Sequence, residues 1–204
     1  MSNGPIHPGE VAWTGENPGI YLKVEKDGPW SGLMTFFRIT WSPYGRGHGV
    51  VILDEPNEEK SLPDVDNFCI TDNVELAKYL VDIFFSKFAS FRVSPGLKAI
   101  QYLRLTEVYR EGDTRSEYTE VVKSSDYEIR MTWKQLGAPY AVDMPSEKGP
   151  TQVHQMYSLF LDAADAQVSI NGRPLKGEVV ERDFADTIKS TAFLAFSESW
   201  MKVD

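Results

Sequence analysis

The stretch "GLMTFFRITWSPYGRGHGVVILDE", residues 32–55, decides the fold class. Its two outer runs, 32–41 and 48–55, are rich in β-branched and aromatic residues, a composition that predicts strands. Four residues in and next to the short link between them favour turns: Pro43, Gly45 and Gly47 within it and Gly49 just after it. Glycine adopts positive φ without steric cost, so this link suits a connection between adjacent antiparallel strands. The stretch therefore predicts a β-hairpin.

The same link raises the question of phosphate binding, because its glycines follow a G-x-G-x-G pattern. A dinucleotide site needs a strand, then the glycines, and then a helix whose N-terminus faces the pyrophosphate. Here a second strand follows the glycines. The Walker pattern, which ends in G-K-[ST], is also absent from the sequence. We therefore predict no nucleotide site at this link.

One segment, 72–91, has the spacing of an amphipathic helix. Its apolar stripe consists of Ala77, Leu80, Val81, Phe84, Phe85 and Phe88. Asp72 followed by Glu75 resembles a capping box, and Ser94-Pro95-Gly96 is expected to end the helix. The stripe is read as a packing face, because phenylalanine and leucine are usually buried.

The remaining chain is predicted to be mostly strand. The further strands are expected at 97–111, 115–124, 127–135, 153–163, 166–180 and 190–203, with a loop at 138–151. Gly112-Asp113 and Asn171-Gly172 mark hairpin turns. Consecutive strands with a single helix predict a mainly β protein: an antiparallel β-barrel, or a barrel-like sandwich, with one packed α-helix. The expected organisation is an N-terminal arm, 1–12, followed by one domain, 13–204.

Composition excludes several functions. The chain carries 30 acidic and 21 basic residues, a net charge of −9, and no two basic residues are adjacent, so nucleic acid is not an expected partner. The single cysteine, Cys69, excludes an internal disulfide framework. No stretch approaches the roughly 20 apolar residues of a membrane span, and the N-terminal residues lack a signal-peptide pattern. We expect a cytoplasmic protein without a membrane partner, and the oligomeric state stays open.

Two charged residues interrupt apolar faces of predicted strands. Strict alternation along 190–203 places Ala192, Leu194, Phe196, Glu198 and Trp200 on one face. Arg38 similarly shares a face with Met34 and Phe36. A buried charge must be paired or must neutralise. Glu198 is therefore either part of a structural ion pair, or a strand-end residue near solvent, or an acid or base in a cavity.

The histidines offer a second source of acid–base chemistry. His48 and His154 adjoin predicted strands, where an imidazole can exchange protons near neutral pH or can simply lie at the rim. Neither of them, nor His7, has a neighbour at metal-ligand spacing, so no metal and no cofactor are predicted.

Two tripeptides, Gly28-Pro29-Trp30 and Ser125-Asp126-Tyr127, resemble the G-x-W and T-D-Y motifs of lipocalin-type barrels of the calycin group. The resemblance covers little of the chain. It implies a β-barrel whose interior holds a small apolar molecule.

The leading functional hypothesis is the binding of a small, largely apolar ligand in a barrel cavity. Its anchors are expected to be Arg38, Trp41, Trp200 and His154, since such sites combine aromatic walls with a few polar groups. The alternative is a cofactor-free acid/base enzyme of the isomerase, cyclase or hydratase type that uses the same cavity. In that case Glu198 or His48 moves protons and Arg38 stabilises developing negative charge.

Overall fold

A computed structural model of the chain describes residues 9–58 and 66–203. Its strands are β1 (Glu10–Glu16), β2 (Gly19–Lys23), β3 (Gly32–Trp41), β4 (Gly47–Leu53), β5 (Asn67–Thr71), β6 (Gln101–Arg104), β7 (Glu107–Gly112), β8 (Glu117–Lys123), β9 (Glu128–Leu136), β10 (Tyr140–Met144), β11 (His154–Ile170), β12 (Arg173–Pro174), β13 (Glu178–Val179), β14 (Glu181–Phe184), β15 (Thr187–Ser190) and β16 (Ala192–Lys202). The helices are α1 (Val74–Ile83) and α2 (Ala89–Arg92), with 3-10 turns at Phe85–Lys87, Pro95–Ala99 and Ser146–Lys148. The prediction of a mainly β protein with a packed helix is confirmed.

Fourteen of the described strands form one sheet. Its main path runs β6-β5-β4-β3-β1-β16-β11-β9-β8-β7; every pair is antiparallel except β5–β6. Strand β2 pairs with β3, β16 and β13, and β10 pairs with β11. Strands β14 and β15 form a separate hairpin. The predicted hairpin at 32–55 is confirmed as the β3–β4 pair, whose register runs from Leu33 opposite Leu53 to Ile39 opposite Gly47.

The two end strands of the main path, β6 and β7, are consecutive in the chain. The residues that join them contact both ends of the sheet. The Leu105 N–H donates to the Thr71 carbonyl of β5 at 2.9 Å, and the Thr106 N–H donates to the Lys123 carbonyl of β8 at 2.8 Å. This short link therefore hydrogen-bonds to a strand near each end of the main path.

The apolar residues form two clusters, one on each face of the sheet. The helix-side cluster combines Leu76, Leu80, Phe84 and Phe85 of the helical segment with strand residues such as Trp13, Tyr21, Phe160, Phe193 and Trp200. The strand-side cluster includes Ile20, Met34, Phe36, Ile52, Met131, Trp133 and Leu194. Strand β4 shows the division, because Val50 and Ile52 belong to the strand-side cluster while Val51 and Leu53 belong to the helix-side cluster. Alternating side chains of one strand thus pack on opposite faces.

The predicted helix, 72–91, is interrupted. Helix α1 ends at Ile83, and the next bonds have 3-10 spacing, from the Lys87 N–H to the Phe84 carbonyl and from the Phe88 N–H to the Phe85 carbonyl. The Ser86 hydroxyl donates to the Asp82 carbonyl at 2.7 Å, the acceptor that a continuing helix would use. Such side-chain bonds compete with the helical ladder.

The predicted N-cap, Asp72, is also wrong. The Asn73 side chain accepts from the Leu76 N–H and caps the helix. The Asp72 carboxylate instead accepts from the His48 N–H at 2.7 Å. Both residues have the short polar side chain that capping requires, so the sequence pattern places the cap one residue too early.

Several other boundaries differ from the sequence prediction. The strand expected at 153–163 and the first part of the strand expected at 166–180 form one continuous 17-residue strand, β11. It ends at the predicted Asn171-Gly172 turn. The loop expected at 138–151 contains β10, which pairs along β11. The predicted strand 97–111 is divided between a 3-10 turn, β6 and β7. Strand β1 begins at Glu10, within the predicted arm, and residues 1–8 of that arm lie outside the described residues.

Candidate functional site

A cavity of about 450 Å³ lies on the helix-side face of the sheet. Its walls come from β2, β10, β11, β16, the segment 87–92, the loop 148–152 and the β14–β15 hairpin. The large apolar side chains that line it are Tyr21, Trp30, Phe88, Met144, Met156, Phe160, Phe184, Phe193 and Trp200, all of which belong to the helix-side cluster or pack against it. A cavity of this size and lining suits a small molecule.

A β-bulge aims Glu198 into this cavity. Tyr157 pairs with Ser199 and Leu159 pairs with Phe196, so Ser158 alone lies opposite the two residues Ser197 and Glu198. Ser197 has φ 53°, a left-handed conformation. A bulge of this kind shifts the alternation of the strand by one residue.

The predicted face of β16 is therefore wrong in part. Ala192, Leu194 and Phe196 contribute to the strand-side cluster, as one face, whereas Trp200 belongs to the helix-side cluster and Glu198 lines the same cavity as Trp200. Without the extra residue, strict alternation would turn the Glu198 carboxyl into the strand-side cluster. The bulge thus decides which face carries the acid.

Replacing Ser197 tests this geometry. We expect Ser197→Val to lower the free energy of unfolding by about 1–3 kcal/mol, because a β-branched residue is strained at positive φ. Ser197→Gly is expected to stay within about 1 kcal/mol of the wild type, since glycine adopts this conformation readily. Urea denaturation followed by circular dichroism measures both. Ser169→Val, on the regular part of β11, is the control and should change little; an equal loss there would contradict a special role for the backbone at Ser197.

Glu198 is almost fully enclosed, with 3% of its surface exposed. Its Oε1 accepts a hydrogen bond of 2.6 Å from the Trp200 indole N–H. Burial raises the pKa of Glu198 from 4.5 to about 7, against the opposing effects of hydrogen bonds from Trp200 and Ser158 and of the Arg182 charge. The carboxyl can therefore gain or lose a proton close to neutral pH.

The β14–β15 hairpin brings a second ionisable group to the cavity. Its two-residue turn, Ala185-Asp186, has φ values of 50° and 61°, as a type I′ hairpin requires. Arg182 of β14 lines the cavity with Phe184 of the same strand. At the rim, the Lys148 ammonium pairs with Asp186 at 2.6 Å and joins the hairpin to the loop on the other side.

The Arg182 guanidinium lies among aromatic rings. Its Cζ is 4.2 Å from the Phe193 ring centroid and 5.7 Å from that of Tyr21. Its Nε donates to the Ser190 carbonyl at 3.0 Å. The residue as a whole is half-buried, but its Nη2 is fully enclosed and has no hydrogen-bond partner within the described part of the chain. Burial lowers the pKa of Arg182, and no acidic side chain among the described residues forms an ion pair with it.

Arg38 lies elsewhere. Its Nη2 donates to both carboxylate oxygens of Glu120, at 3.0 and 2.9 Å, and its Nη1 pairs with Glu16. It lies over the Phe36 ring of the strand-side cluster, whereas Glu198 contacts Trp200 of the helix-side cluster. The structure thus places Arg38 and Glu198 on opposite faces of the sheet, and Arg38 forms a structural ion pair.

The other predicted site residues are also dispersed. Trp41 is 49% exposed, and the His48 Nδ1 lies 3.0 Å from an Asp72 carboxylate oxygen at the surface. His154 is buried, with its ring 4.8 Å from that of Phe84, and burial lowers its pKa. None of these three lines the cavity, whereas Trp200 does.

Two cavity residues were not found from the sequence. Arg182 sits in the polar stretch "ERDFADTIKS" (181–190), which has no strong turn dipeptide and reads as an exposed segment. Tyr21 is one of several apolar residues in a short strand and reads as core. Only the tertiary structure brings them to Glu198.

Residues 9–58 and 66–203 contain no group of three or more His, Cys, Asp and Glu side chains that could hold a metal ion. No helix within these residues has the length and apolar character needed to cross a membrane. Comparisons of the chain with models of known protein families, with curated proteins and with solved structures found no match.

Proposed function

We propose that the protein binds a small, largely apolar molecule that carries a hydrogen-bond acceptor, in the cavity of the helix-side face. The observation that carries this proposal is the Arg182 Nη2, a fully enclosed donor without a partner in the described chain, beside an aromatic wall. A buried donor that stays unpaired costs about 1–3 kcal/mol. Arg182 lines the cavity, so a modest shift of its side chain lets a ligand oxygen reach Nη2 and remove that cost, while the aromatic rings supply the apolar contact area.

The proposed site does not lie on the face of the sheet that carries the strand-side cluster. The strand-side cluster fills that face with side chains that are almost fully enclosed, including Met34, Phe36, Met131 and Trp133. The cavity lies against the opposite face, under the segment 87–92 and the β14–β15 hairpin. Of the anchors expected from the sequence, the proposal retains Trp200 and adds Arg182 and Tyr21.

A neutral fluorescent probe tests ligand binding. We expect N-phenyl-1-naphthylamine to gain fluorescence with the wild type, because the cavity excludes water from an aromatic solute. Ala89→Trp, which places a large ring at a lining position, is expected to weaken probe binding at least tenfold. Ala141→Trp, at an exposed position of β10 away from the cavity, is the matched control and should bind like the wild type. Equal binding by the two variants would refute the proposed location.

A second candidate function is cofactor-free acid/base catalysis in the same cavity. It is favoured by one observation, the buried Glu198 carboxyl with a pKa of about 7, which suits proton transfer at neutral pH. His48 has no place in this candidate, since it does not line the cavity. The two candidate functions are separated by incubating the protein with a compound that binds in the cavity. Mass spectrometry then shows whether the compound is recovered unchanged or as a product. Conversion by the wild type, with binding but no conversion by Glu198→Gln, would favour the enzyme.

We propose in addition that the sheet closes as a lipocalin-like barrel in a cytoplasmic protein. The bonds of Leu105 and Thr106 to opposite ends of the sheet support closure. Trp30 of the G-x-W tripeptide precedes β3 and lines the cavity, and the Ser125-Asp126-Tyr127 tripeptide connects β8 to β9. The sole cysteine, Cys69, is buried and free, as suits a reducing compartment.

A further inference from the structure

We infer that the ligand is an apolar carboxylate, whose carboxylate group is held by Arg182 while Glu198 is in its protonated form. This inference rests on the proposed function and names the chemical class that the same cavity accepts. Three features of the cavity support it: the sign of its charge, the free donor of Arg182, and the presence of one acid in an apolar wall.

The charge of the cavity differs in sign from that of the protein. The chain has 30 acidic and 21 basic residues. The lining contains the reverse excess: the basic residues Lys87, Arg92, Lys148 and Arg182 against the acidic residues Asp183 and Glu198, and the excess remains when Asp186, which pairs with Lys148 at the rim, is included. Lys87 and Arg92 form no ion pair within the described chain. A positively charged rim on an acidic protein attracts an anion toward this entrance and away from the rest of the surface.

Arg182 provides the anchor for that anion. A guanidinium presents N–H groups in a planar fork that matches the two oxygens of a carboxylate, and such charge-assisted bonds are stronger than neutral ones. Packing on the Phe193 ring, at 4.2 Å, holds the plane of the guanidinium. The Tyr21 phenol lies beside it, and burial raises the pKa of Tyr21 to about 12, so at neutral pH it remains a hydroxyl.

Glu198 then has to be neutral when the ligand is bound. Two carboxylates in one poorly hydrated cavity repel each other, so binding of the first favours protonation of the second. The groups that face Glu198 are Trp200 of its own strand, Ser158 of β11, Tyr21 of β2 and Arg182 of the hairpin. The charged residues at the cavity are Lys87, Arg92, Lys148 and Asp183, and Arg182 in turn faces Tyr140 and Asp162. Protonated Glu198 carries no charge, so it does not repel the ligand carboxylate. Arg182 is then free to pair with that carboxylate.

The test compares 4-biphenylcarboxylate with its methyl ester by isothermal titration calorimetry of the wild-type chain. At pH 6 we expect the carboxylate to bind at least tenfold more tightly than the ester, which lacks the charge. The carboxylate is ionised at pH 6 and at pH 8.5, so any pH dependence comes from the protein. Its affinity is expected to fall by roughly tenfold for each pH unit above 7, because binding takes up one proton on Glu198. The ester is expected to show no such dependence.

Variants assign these effects to residues. Glu198→Gln is expected to bind the carboxylate with the same affinity at both pH values, and Arg182→Gln to lose the preference for the carboxylate over the ester. Arg104→Gln, at an exposed position of β6, is the matched control. Circular dichroism and N-phenyl-1-naphthylamine binding confirm that each variant keeps its fold and cavity. Titrations of the wild type in buffers of different ionisation enthalpy count the proton without any variant.

The possible failures can be told apart. If the ester binds as tightly as the acid while the neutral probe still binds, the carboxylate inference is overturned and the proposed function stands. If no proton is taken up, the role given to Glu198 is overturned. If none of the three compounds binds, the proposed function itself fails.

Discussion

Replacing Arg38 with methionine is expected to lower the free energy of unfolding by about 3–5 kcal/mol at pH 7, the range seen when one partner of a buried ion pair is removed. The reason is Glu120, whose side chain has 0% exposure and which accepts two hydrogen bonds from the Arg38 guanidinium. Without Arg38, Glu120 keeps no salt bridge among the described residues, and of the described hydrogen-bond donors only the Tyr118 hydroxyl still donates to it. Urea denaturation of the wild type and the variant measures the difference.

A second substitution separates lost charge pairing from lost packing. In Arg38→Met/Glu120→Gln the buried charge is gone while an oxygen still accepts from Tyr118, so most of the stability should return. Arg130→Met removes an arginine that pairs with Glu111 at the surface, with side-chain exposures of 37% and 48%. That control should cost no more than about 1 kcal/mol. Similar losses in Arg38→Met and Arg130→Met would show that Glu120 is hydrated after all.

Glu198→Gln is expected to act in the opposite direction and stabilise the protein at alkaline pH. Burial raises the Glu198 pKa in the folded chain from 4.5 to about 7. Below about pH 4.5 the carboxyl is protonated in both states, so its ionisation has no effect on stability. As the pH rises through 7, the Glu198 carboxyl is already ionised in the unfolded chain and becomes ionised in the folded chain as well. Ionisation in the buried site lowers the free energy of unfolding by about 3 kcal/mol at pH values above 7. Glutamine cannot ionise, so this cost disappears.

The measurement is the difference in unfolding free energy between wild type and Glu198→Gln at several pH values. We expect almost no difference at pH 4 and an advantage of about 3 kcal/mol for the variant at pH 8. The glutamine oxygen can still accept from the Trp200 indole. Glu117→Gln, at an exposed position of β8, is the control and should change stability by less than about 0.5 kcal/mol at either pH. A constant difference across the pH range would mean that Glu198 is not desolvated.

The strands could be predicted largely from local patterns. The β3–β4 hairpin follows from two apolar runs around glycines, and the alternation of Ile129, Met131 and Trp133 identifies the buried face of β9. Local patterns failed where one residue changed the geometry. Ser197 looks like any polar strand residue, yet its left-handed backbone reverses the faces of β16.

The candidate site could be predicted only in part, for the same physical reason. Glu198 stands out because an acid within an apolar strand must have a special environment. Arg38, which was expected in the same cavity, is separated from Glu198 by the sheet, and the actual neighbour, Arg182, comes from a hairpin outside the main sheet. The sequence carries the side-chain chemistry of each residue, but the pairing of distant residues depends on how the sheet curves.

Strand β16 lies between β1 and β11 in the middle of the sheet and carries both Glu198 and Trp200. Its pairing with β1 joins residues that are far apart in sequence, such as Glu10 and Lys202. Strand pairs between such distant residues form slowly. During synthesis the ribosome releases β16 after all the other described strands. Until then β1 and β11 each present an unpaired edge, and such edges can pair with other chains and start aggregation. The candidate site is thus assembled in the same late step that covers these two strand edges.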